Sequence, residues 1–159
     1  MSLAMLWLPA GAVAAHLIEE FVWPGGFAAW YRHYPPGTNA TVTPRFLVTV
    51  NAVFVALALM PPVFGATARG LTFWMVVAAI AATNAVFHLF ATLRTRTYSP
   101  GVITGVLLYL PLAFVGATSL IRDPQVAPGT VAQAIVIALA YQVWSSWNHR
   151  RHALTLRAS

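Results

Sequence analysis

Five apolar stretches, each near the length of a bilayer crossing, occupy most of this chain: Leu3–Val22, Phe46–Phe64, Leu71–Leu93, Val102–Ile121 and Val131–Trp147. A helix needs about 20 mostly apolar residues to cross the hydrocarbon core, with roughly 17 to 25 acceptable. Formal charges enter only the first stretch, as Glu19 and Glu20. The intervals are rich in breakers: Trp23-Pro24-Gly25-Gly26, Tyr34-Pro35-Pro36-Gly37, Ser99-Pro100-Gly101, and Asp123-Pro124 through Pro128-Gly129. The expected fold is all-α: a polytopic membrane bundle of five transmembrane helices, forming a single membrane domain over 1–159. Pro61-Pro62 is expected to end the second helix, and Pro111 to kink the fourth near its middle.

Composition removes the competing classes. Charged residues are 8% and hydrophobic residues 59% of 159, against about 25% charged in a soluble domain. Three acids cannot cover a water-facing surface, which excludes a soluble globular domain, an acidic disordered chain and a fibrous repeat. The absence of cysteine excludes disulfides, iron–sulfur clusters, thiolate zinc sites and a cysteine nucleophile. A net charge of +6 could suggest nucleic acid. The arginines are scattered at segment ends instead of gathered on one face, so no nucleic-acid partner is expected. The first stretch lacks a basic n-region, and Glu19-Glu20 stands where a cleavage site would need small residues; it reads as a retained helix.

Arginine placement sets the expected orientation, because cytoplasmic loops are enriched in basic residues. Arg32, Arg45, Arg94, Arg96, Arg150, Arg151 and Arg157 fall on one side, and Arg69 and Arg122 on the other. The N-terminus is then outside and the C-terminus cytoplasmic, in a multi-pass protein of the inner (plasma) membrane. Asn39-Ala40-Thr41 matches a glycosylation sequon but falls on the cytoplasmic side, and is read as chance.

The polar residues of the spans gather at one end. At about 1.5 Å per residue, His16 lies roughly 9 Å from the end of the first stretch, and His88 and Asn51 about 7.5 Å from the matching ends of theirs. Gln142 stands at a similar level. His16, Glu19 and Glu20 are spaced i, i+3, i+4 and share one helical face. An ionisable residue inside a span costs at least about 2.5 kcal/mol and marks a functional site by default. With no lysine and few arginines within reach, a bound cation is the simplest neutraliser. The bland alternative is that both glutamates reach the interface and meet Arg32 or Arg94. Asn84 and His88 share a face of the third helix, so His16, Glu19, Glu20, His88 and, more weakly, Asn84 are the candidate metal ligands. Asn51 and Gln142 read as interhelical hydrogen-bond partners. Ser99 is expected to cap the fourth helix, with Pro100 in its first turn. Tyr98 reads as an interfacial aromatic, with a second role open to it as donor to a developing oxyanion. His33, His149 and His152 read as solvated, and Trp144 and Trp147 as belt residues.

His16-Leu17-Ile18-Glu19-Glu20 reads H-x-x-E-E, and resembles the HXXEE-motif family of small prokaryotic integral membrane proteins. Asn84-Ala85-Val86-Phe87-His88 is similar to its N-x-x-x-H motif, and Tyr98-Ser99-Pro100-Gly101 to its Tyr-x-Pro-Gly segment, over roughly residues 10–110. The resemblance implies His16, Glu19, Glu20, Asn84 and His88 as the site, and implies no reaction.

Two histidines and a glutamate form the ligand set of many catalytic zinc sites, with the fourth position left to water. The expected function is thus a metal-dependent membrane enzyme holding a divalent metal, zinc first, with iron or manganese as alternatives. Whichever of Glu19 and Glu20 does not bind metal could serve as general base on the water. A site just beneath the cytoplasmic headgroups suits a hydrolase whose hydrophobic, lipid-like or lipidated substrate arrives sideways from the bilayer. The alternatives are a proton- or cation-coupled transporter, which five helices would have to oligomerise to enclose, and a structural or ligand-binding membrane protein.

Overall fold

The structure, a computed structural model, describes residues 1–33 and 44–157. The elements run α1 (Leu3–Leu6), α2 (Leu8–Phe21), α3 (Phe27–His33), α4 (Pro44–Phe64), α5 (Ala68–Thr95), α6 (Val102–Thr104), a π-helical turn (Gly105–Tyr109), α7 (Leu110–Leu120) and α8 (Thr130–Arg157). The described residues contain no strand. The turn at Tyr34–Gly37, the sequon at Asn39–Thr41 and the side chains of His149 and His152 lie outside the described residues.

Among the described residues, three continuous helical stretches are long and apolar enough to cross a membrane: Pro44–Phe64, Ala68–Thr95 and Val102–Leu120. The last of these runs through α6, the π turn and α7. The first apolar stretch is instead divided at Trp7, with Pro9 in the opening turn of α2. The apolar part of α8, Thr130–Trp144, is shorter, although the helix itself continues to Arg157. Pro61 and Pro62 do not end α4, which runs on to Phe64 before Gly65 reverses the chain. The breaker-rich Trp23–Gly26 interval leads into a short helix, α3.

The expected disturbance at Pro111 takes a particular form. Proline has no N–H and crowds the carbonyl four residues before it. The chain answers with a wider turn just upstream, in which the Leu110 N–H bonds the Gly105 carbonyl, five residues back. Such turns are rare, and are frequent at functional sites.

Helix α5 is the axis of the bundle and packs against α4, α7 and α8. Its N-terminal half is held by apolar contact. Leu71, Trp74, Met75, Val77 and Ala78 are buried there, together with Leu6 and Leu120. The Trp74 indole donates to the Met5 carbonyl at 2.9 Å. Gly116 meets the Trp74 ring so closely that a Cβ there would stand 1.8 Å from Cζ3. His88 lies fourteen residues further along α5, about 21 Å away. Between the two levels Gln142 donates to Thr83 at 3.2 Å, the expected kind of interhelical bond.

Candidate metal centre

Two consecutive glutamates at the end of α2 go to different places. Glu19 turns to the start of the fourth apolar stretch, where a helix begins with unpaired backbone N–H groups. Its Oε1 accepts from Gly101 N (3.0 Å), Ile103 N (3.0 Å) and the Tyr98 hydroxyl (2.6 Å). Its Oε2 accepts from Thr104 N (2.7 Å) and from the Thr104 hydroxyl. Glu19 is therefore the cap of this helix, supplied from another element. The residue expected to cap it, Ser99, sends its hydroxyl to His88 instead, and Gly101 in the capping position gives no side-chain bond. Burial, and then the bond to Glu19, raises the Tyr98 phenol above the ordinary tyrosine range, so it stays a donor.

Glu20 turns inward. Its Oε1 lies 3.3 Å from His16 Nε2 and 3.1 Å from His88 Nε2. All three residues are buried, His88 completely. The three atoms lie within 4.8 Å of one another, and this group could hold a metal ion. Among the described residues neither Nε2 has a polar partner besides that Glu20 oxygen.

The protons can be assigned on one side. The Thr104 hydroxyl has a single hydrogen, and the Glu19 carboxylate receives it. The same oxygen must then accept from His16 Nδ1, 2.9 Å away. With its proton on Nδ1, a neutral His16 presents a bare lone pair at Nε2, facing a carboxylate oxygen that also carries only lone pairs. A cation between them turns that repulsion into ligation. His88 repeats the pattern, with Nδ1 at 2.8 Å from Ser99 Oγ and Nε2 turned inward. Metal-binding histidines characteristically tie the second ring nitrogen to an oxygen in this way. Spacing agrees as well: ligands about 2.1 Å from a tetrahedral ion stand about 3.4 Å apart, close to the two observed separations.

The walls are fitted to the group. Gly101 adopts φ 102°, which disfavours any side chain, and a Cβ there would lie 2.7 Å from His16 Cε1 and 2.9 Å from His88 Cε1. On the far side α3 covers His88, with Phe27 at 5.6 Å and Trp30 stacked at 6.5 Å between ring centroids. Tyr109, in the π turn, tilts against the His16 ring at 4.5 Å.

The structure thus brings His16, Glu20 and His88 together. It places Glu19 and Tyr98 beside them as the cap of the next helix. Asn84 lies one turn before His88, with its Oδ1 buried and without a hydrogen-bond partner among the described residues. Sequence reading missed Thr104 and Tyr109, and gave Ser99 another task. A hydroxyl three residues beyond the Pro-Gly break was the available signal for Thr104.

Fold and site together define a helical protein with a buried His–Glu–His metal-type centre shared between two helices and closed by the start of a third. The chain belongs to the family described as proteins of unknown function with an HXXEE motif, whose model matches residues 7–116. No curated protein and no solved structure matches it.

Proposed function

We propose that this chain is a metal-dependent integral membrane enzyme, with His16, Glu20 and His88 holding one divalent ion. The observation that carries the reading is the convergence of two imidazole nitrogens, with no other polar partner among the described residues, on one carboxylate oxygen in a buried site. Zinc is the first choice on ligand type, with iron or manganese as alternatives. Three protein ligands, not four, is the pattern of a catalytic ion with one exchangeable position. Bound there, the ion would supply Lewis acidity and an activated water, which makes hydrolysis the simplest reaction.

The chain's own residues divide the work. His16 and His88 keep their Nε2 lone pairs inward through Thr104 and Ser99. Glu20 offsets the charge. Glu19, with five donors on its two oxygens, acts as a positioning residue: it holds Thr104 and the helix start against His16, and Tyr98 steadies it. As a general base Glu19 would first have to give up those bonds.

In the bilayer we read five crossings, with α2 and α8 completing the three longer spans, the N-terminus outside and the C-terminus in the cytoplasm. The site then lies beneath the cytoplasmic headgroups of the inner membrane, under the aromatic cover of α3. Interfacial aromatics favour that level, and a lipid-like or lipidated substrate would reach it laterally. A second reading, a structural ion clamping α2 and α5, is favoured by the near-complete burial of all three ligands.

Elemental analysis of the detergent-purified protein beside His16→Ala and His88→Ala tests the proposal. One equivalent of metal in the wild type, lost in both variants, is the expected result. Folded wild-type protein that takes up no metal even after reconstitution removes the enzyme and clamp readings together.

A further inference from the structure

Nε2 of His16 and Nε2 of His88 meet only the Glu20 oxygen, and Asn84 Oδ1 and the Tyr109 hydroxyl have no hydrogen-bond partner among the described residues. A metal ion accounts for the first two. The phenol is a different matter, because an unmade bond to a fully buried hydroxyl is costly and native interiors seldom tolerate it.

Tyr109 is 0% exposed, and its ring leans on His16 at 4.5 Å, so it forms part of the wall of the centre. It ends the π-helical turn, whose first residue, Gly105, sits against Ala85: a Cβ there would be 3.2 Å from the Ala85 backbone. That close approach sets the widened turn beside the Asn84–His88 stretch of α5. The other hydroxyls around the centre are committed. Tyr98 and Thr104 donate to Glu19, and Ser99 is bonded to His88. With an ion bound as read above, the three ligand atoms give their lone pairs to it and offer no proton. An oxygen anion joining them lacks a donor, and Tyr109 holds an unused one.

We propose that Tyr109 completes the site: its hydroxyl donates a hydrogen bond to the oxygen anion that takes the position left open by His16, Glu20 and His88. The ligand class is hydroxide, a carboxylate, or the oxyanion of a carbonyl under attack. The inference rests on the metal reading above, and it makes Tyr109 a determinant of which fourth ligand is held.

The test uses the full chain in detergent, loaded with cobalt(II), whose visible absorption reports its ligands, and titrated with acetate. Wild type and Tyr109→Phe are expected to bind cobalt within about twofold of each other, while acetate binds about tenfold more weakly to the variant. Without metal, Tyr109→Phe is expected to be at least as heat-stable as wild type, since it removes an unpartnered hydroxyl. That advantage should vanish once cobalt and acetate are bound. Equal acetate affinities overturn the inference, as does a cobalt spectrum that acetate does not change. A metal-free variant that melts lower, or does not fold, shows that the hydroxyl is engaged elsewhere and also overturns it. Wild type that binds no cobalt is seen before acetate is added, and refutes the metal reading itself.

Discussion

The two ends of α5 are built on different principles. Around Trp74 the neighbours are Leu6, Leu71, Met75 and Leu120, and what matters is volume. Around His88 the neighbours are Glu20, His16, Ser99 and Gly101, and what matters is direction: which nitrogen carries a proton and which oxygen faces it. Close packing is felt at the level of single methyl groups but is indifferent to chemistry. The polar end is sensitive to atom type, because its groups meet through particular donors and acceptors. Stability and metal binding should therefore respond to separate sets of substitutions.

The largest effect should come from Glu20→Ala. Metal content measured by elemental analysis is expected to fall below about a tenth of wild type, because removing one of three ligands leaves two imidazoles. The glycines give the sharpest contrast. Gly101→Ala should lower metal affinity by competition titration, since its Cβ would push His16 and His88 apart. Gly116→Ala should instead destabilise the fold by about 1–3 kcal/mol through overpacking against Trp74, read as a lower thermal unfolding midpoint with metal content kept. If both glycine variants changed the same observable, the division between the ends would be wrong. Glu19→Gln retains the shape of the cap but offers it an amide in place of one carboxylate oxygen. Loss of a group that orients a ligand commonly costs 10- to 100-fold in metal affinity, and about that is expected. Tyr98→Phe removes one of the five donors to Glu19 at a partly exposed position, so a loss of less than about tenfold should be measured.

Much of the centre could be read from spacing alone, because a helix fixes which residues share a face. His16 and Glu20 are one turn apart, and His88 lies at a matching depth on another apolar stretch. Helical periodicity supplies those relations without reference to the rest of the chain. It could not divide the work between Glu19 and Glu20, which stand at i+3 and i+4 from His16 and are equally placed on that face. The division is made by Gly101–Thr104, whose free N–H groups claim Glu19 and leave Glu20 to the histidines. Ser99 followed the same logic: it had the composition of a cap, but a better acceptor arrived from α2. Tyr109 escaped notice because its position depends on the π turn, and Pro111 announced only that some irregularity was due. The apolar stretches announced the helices themselves, while α3 fell in an interval dominated by Pro and Gly.

The cap formed by Glu19 joins residues 82 to 85 positions apart, and this has a consequence for the making of the protein. At roughly 5–20 residues per second of synthesis, the helix that bears both glutamates precedes its partners by about 4 to 17 seconds. Through that interval Glu19 lacks its N–H groups, whereas Glu20 has His16 one turn away on its own helix and gains His88 before Thr104 is made. Helix α2 therefore waits longest for its partners, whose set is complete only when Thr104 has been added. A chain interrupted between His88 and Gly101 would hold Glu20 with both of its histidines, but Glu19 with none of the backbone donors that it caps.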